Sequence, residues 1–170
     1  MQKSIIVLAM HGVPPKDFPR YELAEFFGLH LQLEHKGELP PDRRLKYDKL
    51  QKKLQEWPRT PNNDPYFHSS QKLAKELSII TSCEVIVGFN EFCKLNIIEA
   101  LETAIAKNPP KILVITPMMT PGGEHSEVDI PKAIERIQIQ HPAIKIKYIW
   151  PFDLSKVAKF LVDQISTFCT

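Results

Sequence analysis

The chain is predicted to be an α/β protein with a parallel sheet, on three observations. Short apolar runs at Ser4–Ala9, Glu84–Val87, Ile112–Ile115 and Ala143–Trp150 alternate with stretches whose apolar residues recur at helical spacing. No hairpin signal separates two strands, so each must return through a helix, which gives four parallel strands with helices on both faces. Finally, 170 residues that are 43% hydrophobic and 25% charged suffice for one domain with a sizeable core and not for two. Residues 1–170 are therefore expected to form one domain.

The first run, SIIVLA, has no charge alternating with its apolar side chains and reads as a strand buried on both faces. It stops at Met10-His11-Gly12. From about residue 14 to 63 the chain is an insertion divided by prolines. Two helices are expected in it: Tyr21–Leu33, with Leu23, Phe26, Phe27 and Leu31, and Asp42–Trp57, with Tyr47, Leu50, Leu54 and Trp57 on one stripe. Outside that stripe Arg43, Arg44, Lys46, Lys49, Lys52 and Lys53 outnumber Asp42, Asp48 and Glu56, which makes either an acidic-ligand surface or a solvated face.

Asp64-Pro65 is a helix start, an acceptor for the cap followed by a proline whose missing N–H does no harm. Phe67, Leu73, Ala74, Leu77 and Ile80 are its expected buried face. The strand Glu84–Val87 is expected to end at Gly88. Glu91 then precedes a helix marked by Ile97, Leu101, Ala104 and Ile105. Ile112–Ile115 runs into the strand-stopping loop Thr116–Gly123, and Ile130, Ala133, Ile134 and Ile137 mark the helix beyond. Glu124, Glu127 and Asp129 lie where acids favour a helix N-terminus, with His125 at the junction. After the fourth strand, Asp153 caps a closing helix to Phe168, with Leu154, Val157, Leu161, Ile165 and Phe168 expected inward.

A net charge of +2, with no basic block or aromatic RNA-binding signature, gives no electrostatic case for a nucleic-acid partner. The first apolar run is too short to span a membrane and lacks a small-residue cleavage site, so a soluble, cytoplasmic protein is expected. Cys83, Cys93 and Cys169 are odd in number and lack C-x-x-C spacing, which predicts reduced structural cysteines.

His11, Glu91 and His125 each follow a strand end, and the carboxyl edge of an open α/β sheet is where ligands bind. Two neutral imidazoles and a carboxylate suit Co²⁺, Ni²⁺, Fe²⁺ or Zn²⁺. So small a shell leaves positions open, for a hydrolytic metal or for one passed to another ligand. The chain has no H-E-x-x-H and no G-x-G-x-x-G after the first strand, and Met10 stands where a histidine phosphatase has arginine.

The segments LAMHG, VGFNEF and PMMTPGGEHSEVDIP, taken together, resemble the class II chelatases, the sirohydrochlorin cobaltochelatase and ferrochelatase family, particularly its short single-domain members. The likeness covers residues 1–13 and about 64–152. It implies a flavodoxin-like three-layer α/β sandwich carrying a helical insertion after the first strand. It also implies His11 and His125 as metal ligands and Glu91 as the acid that takes protons or orients a histidine. The implied activity is insertion of Co²⁺, Fe²⁺ or Ni²⁺, as substrate, into a tetrapyrrole without a nucleotide. A delivery protein that binds metal or tetrapyrrole without turnover is the alternative. Short members pair as homodimers, so a homodimer is a further expectation. Two departures stand out: Leu95 replaces a frequent proline, and the 14–63 insertion is far longer than the usual connection. Its aromatic residues and cations are expected to wall the tetrapyrrole cleft. His30, His35, His68 and His141 are expected to be surface or structural residues, with His30 and His35, inside the insertion, the two that could touch the metal or substrate.

Overall fold

The computed structural model describes residues 3–168. Four strands, β1 (Ile5–Met10), β2 (Glu84–Phe89), β3 (Ile112–Ile115) and β4 (Ile146–Tyr148), form an all-parallel sheet in the order β2-β1-β3-β4. This is the flavodoxin-like arrangement, with its switch point between β1 and β3. Strand β1 is central and buried throughout, as its unbroken apolar run requires. Its alternate residues serve two cores. Ile5, Val7 and Ala9 pack with Ile97, Ala100 and Leu101 of α4 (Ile97–Ile105) and with Ile130 and Ile137 of α5 (Ile130–Gln140). Leu8 and Met10 pack with Val87, Phe89 and Ala74 of α3 (Pro65–Thr81) on the opposite face.

Several boundaries differ from expectation. Strand β2 passes through Gly88 to Phe89 instead of ending there. The glycine serves helix packing, since a Cβ at residue 88 would lie 2.8 Å from the Cβ of Ala100. Strand β4 is only Ile146–Tyr148. Helix α4 opens with a reciprocal capping box between Asn96 and Glu99, so Leu95 precedes a well-formed cap. On α3, Ala74 is buried whereas Leu73 and Ile80 are exposed. The closing helix α6 (Leu154–Ser166) has its Asp153 cap but buries no residue: Leu154, Leu161, Ile165 and the following Phe168 are exposed. Helical periodicity identifies residues that share a face, not what that face meets, and here nothing among the described residues covers it.

The insertion folds as two helices, α1 (Arg20–Lys36) and α2 (Pro41–Gln55), around a core of their own. Phe18, Phe26, Leu29, Tyr47, Leu50 and Leu54 are buried together, with Trp57 and Phe92 packed against them. Tyr21 and Leu31, by contrast, face solvent. Phe92 comes from the loop after β2 and places its ring 6.3 Å from Phe26 and 5.9 Å from Phe27, joining the insertion to the sheet.

A buried guanidinium fixes this junction. Arg59 donates to the backbone carbonyls of Val13, Leu54 and Phe92 and pairs with Asp64, whose other oxygen accepts the Phe67 N–H as the cap of α3. Its Nε alone is left without a partner among the described residues. Cys93 lies buried beside Asp64, and desolvation pushes its thiol up to about 11, so it remains protonated and inert. Cys83 is likewise a free thiol, and Cys169 lies outside the described residues. No described helix is long and apolar enough to cross a membrane.

Removing Arg59 would strand a fully buried carboxylate and three carbonyls. Arg59→Ala is expected to lower stability by about 3–5 kcal/mol, read as an earlier urea midpoint.

Candidate metal centre

Parallel pairing does not stop with the strands. Beyond the Met10–Phe89 register pair, the Asn90 N–H donates to the Met10 carbonyl and the Glu91 N–H to the His11 carbonyl, each at 2.9 Å. The two loops therefore leave the sheet side by side, with His11 against Glu91. Such an approach needs a glycine next. Gly12 has φ 94°, and a Cβ there would sit 2.0 Å from the Glu91 carbonyl oxygen. The His11 N–H is held separately, at 3.3 Å, by the Tyr66 hydroxyl from α3.

His125 reaches the same place from the other side of β1. It opens a π-helical turn, His125–Asp129, that leads directly into α5. The turn is pinned from three sides. The Ser126 hydroxyl donates to the Gly123 carbonyl, the Glu127 carboxylate accepts from the Gly122 N–H, and the Tyr148 hydroxyl of β4 donates to the Ser126 carbonyl. Burial pushes the Tyr148 phenol up to about 12, so it stays a donor.

His11, Glu91 and His125 consequently offer three ligand atoms within 4.8 Å of one another. The two imidazole rings lie 4.6 Å apart, nearly perpendicular, and the Glu91 Oε2 is 3.7 Å from His11 Nδ1 and 3.9 Å from His125 Nε2. The second nitrogens are engaged. His125 Nδ1 lies 2.7 Å from the Asp129 carboxylate, and His11 Nδ1 lies 2.7 Å from the Gly12 carbonyl. A donor role for both Nδ1 atoms leaves both Nε2 lone pairs for an ion, the arrangement in which an outer acceptor fixes the tautomer and raises ligand basicity. His11 is the open side of the centre, with 47% of its side chain accessible against 21% for His125.

A cleft of about 300 Å³ lies in front of Glu91 and His125, and the insertion forms its opposite wall through Phe26, His30 and Tyr47. His30 is bound on both ring nitrogens, Nδ1 at 3.1 Å from the Tyr47 hydroxyl and Nε2 at 3.2 Å from Glu34, and stacks on Phe26. It is a wall residue, not a fourth ligand. Burial raises the Tyr47 phenol, with Glu91 among the carboxylates adding to the shift, so a neutral hydroxyl faces the cleft. His35 is exposed near the end of α1, His141 follows α5, and His68 packs on Phe67.

Asp129, by its sequence position a helix-start acid, is instead the partner of the His125 ring. The missed signal is the i, i+4 spacing from His125, which puts the two on one face of the turn.

The CbiX family model matches residues 64–167, a stretch that contains Glu91 and His125 and leaves out His11 and the insertion. The chain belongs to the CbiX family. It thereby falls among the class II chelatases that its motifs resemble. A sirohydrochlorin cobaltochelatase from Priestia megaterium is 31% identical over 96 residues, covering 56% of this chain and 30% of that protein, so the match spans under a third of the relative's length. A CbiX protein from Marinobacter aquaeolei VT8, named for cobalamin (vitamin B12) biosynthesis, superposes with a TM-score of 0.52 at 15% identity, over 98% of this chain and 99% of that one. That likeness is one of fold. The sirohydrochlorin chelatase SirB from Bacillus subtilis subspecies spizizenii, solved in complex with cobalt, gives a TM-score of 0.44 at 15% identity, over 88% of this chain and 43% of that one.

Loss of the Asp129 acceptor should loosen the His125 ring and lower its basicity. Asp129→Asn is expected to weaken Co²⁺ binding by roughly 10–100-fold in a calorimetric titration, with the circular dichroism spectrum unchanged.

Proposed function

We propose that this protein inserts a divalent metal ion, Co²⁺, Fe²⁺ or Ni²⁺, into a tetrapyrrole such as sirohydrochlorin without a nucleotide. The observation that carries the proposal is the convergence of the His11, Glu91 and His125 side chains at the carboxyl edge of the sheet, where Glu91 and His125 line the cleft. Family membership supports it.

Insertion exchanges two pyrrole protons for one M²⁺, so the site must hold an ion, release it and accept protons. In this proposal His11 and His125 bind the ion through Nε2. Two neutral imidazoles add no charge to the ion and, with positions left open, can be replaced stepwise by pyrrole nitrogens. The Glu91 carboxylate, beside both rings, accepts the first pyrrole proton, an imidazole freed as the ion departs accepts the second, and the carboxylate's negative charge favours the cation before transfer. Phe26 and Tyr47, nearly covered within the insertion's core, back the cleft with an apolar wall toward which the flat macrocycle can pack. The Irving–Williams order makes affinity a poor guide to the physiological metal, so the ion is chosen by supply and by the rate of transfer.

Pairing into a homodimer belongs to the same proposal, and the uncovered apolar stripe of α6 is the surface on which it would rest. A single-chain mass by light scattering at micromolar concentration would remove that part.

His11→Ala and His125→Ala are each expected to abolish metal insertion, followed by the absorbance change of the tetrapyrrole, while leaving the thermal transition intact. Full activity in both variants would remove the two residues from the mechanism. Stoichiometric binding of metal and tetrapyrrole by the wild-type protein without turnover would identify a delivery protein instead. Replacing residues 18–57 by a short linker is expected to raise KM for the tetrapyrrole at least roughly tenfold, because one wall of the cleft is lost. A folded deletion variant with unchanged KM would exclude the insertion from the site.

A further inference from the structure

A second cleft, of about 430 Å³, opens beside the one that Glu91 and His125 face. Gln51, Gln55, Asn90 and Asp129 line both, so the two are adjoining compartments with those residues between them. Lys132 and Arg136 stand on the wall of the second compartment, one turn apart on α5. At this spacing their Cβ atoms are about 5–6 Å from each other.

Neither cation has a hydrogen bond or an ion pair among the described residues. The basic helix of the insertion differs in this respect. Arg43 donates to Gln32, Arg44 pairs with Asp48, Lys46 with Glu25 and Lys53 with Glu22, while Lys49 and Lys52 line neither cleft. The one carboxylate of the second compartment, Asp129, is already bonded to His125. Beside the apolar Phe89, Ile97, Ile98 and Ala133, the lining includes four amides: Gln51 and Gln55 from the insertion, Asn96, and Asn90, whose buried Nδ2 has no partner among the described residues. The compartment thus holds two uncommitted cations, neutral amide donors and one donor still to be satisfied, which is the chemistry of a carboxylate site.

Resting on the chelatase proposal, we infer that Lys132 and Arg136 form an anion subsite for the peripheral carboxylates of the macrocycle. In this arrangement the ring lies over the metal centre and its acidic substituents reach past Asn90 to α5. The subsite would select tetrapyrroles rich in carboxylates over less acidic ones, and it belongs to the sheet domain, whereas Gln51 and Gln55 come from the insertion.

The test uses the full chain and a Lys132→Gln/Arg136→Gln double variant, which removes charge from two exposed positions. Each is titrated, without metal, with a free-base porphyrin carrying eight carboxylates and with a water-soluble porphyrin whose side chains are uncharged, following fluorescence quenching. The variant is expected to bind the octacarboxylate roughly tenfold more weakly, to bind the uncharged ring as the wild type does, and to show a gap that narrows as salt is raised. Equal octacarboxylate affinities, or equal weakening for both porphyrins, would overturn the subsite. Co²⁺ insertion by both proteins in that event would leave the chelatase proposal standing. Conversely, selective weakening by the variant in a protein that never inserts metal would support the subsite and remove the catalytic proposal alone.

Discussion

The arrangement of this protein depends on the buried Arg59–Asp64 pair and the carbonyls around it. Both side chains are nearly or fully inaccessible, and stripping water from two charges is costly, so attraction alone does not justify the pair. The guanidinium fork gives it a second task. It binds the Val13 carbonyl just after the His11 loop, the Phe92 carbonyl just after Glu91 and the Leu54 carbonyl of α2. One planar group thereby sets the distance between the two ligand-bearing loops and the insertion. A lysine has no such fork and would serve at most part of this junction.

The remaining precision comes from the sheet. Parallel register carries over from β1 and β2 into the Met10–Asn90 and His11–Glu91 backbone bonds, so the His11 and Glu91 side chains are positioned by the ladder as much as by their own rotamers. Gly12 permits that contact, and no other residue would fit against the Glu91 carbonyl without displacing it. His125 is set independently, through a π-helical turn held by Ser126, Glu127 and Tyr148. The candidate metal centre thus lies where two rigid supports meet at the switch point, while the exposed His11 ring keeps one side open.

Sequence patterns exposed the sheet and the three converging side chains because both depend on local rules. Ile5–Met10 and Ile112–Ile115 are apolar runs that only buried strands accommodate, and His11, Glu91 and His125 follow such runs. What depended on tertiary partners was not legible. Gly88 looks like a strand stop and is instead a packing notch for Ala100, since a glycine has the same letter in either role. Asp129 looks like a helix-start acid until the π-helical turn places it on His125. The stripe on α6 has the period of a core helix but remains exposed. Arg59, in a proline-rich connection, carries no pattern at all. Its importance appears only when the distant loops of Val13 and Phe92 close around it.

The insertion is packed against the loop that carries Glu91. Phe92 enters its Phe26–Tyr47 core from the loop that carries Glu91. A residue adjacent to a ligand is therefore embedded in the insertion's own hydrophobic cluster. Repacking that cluster must shift the backbone at Glu91, because close-packed interiors transmit displacement instead of absorbing it. Wall and metal centre are consequently one mechanical unit. On the chelatase proposal this coupling has a use, since a ring seated in the cleft that Phe26 and Tyr47 back bears on the same cluster that positions the Glu91 carboxylate, and macrocycle binding is linked to the geometry of the proton acceptor.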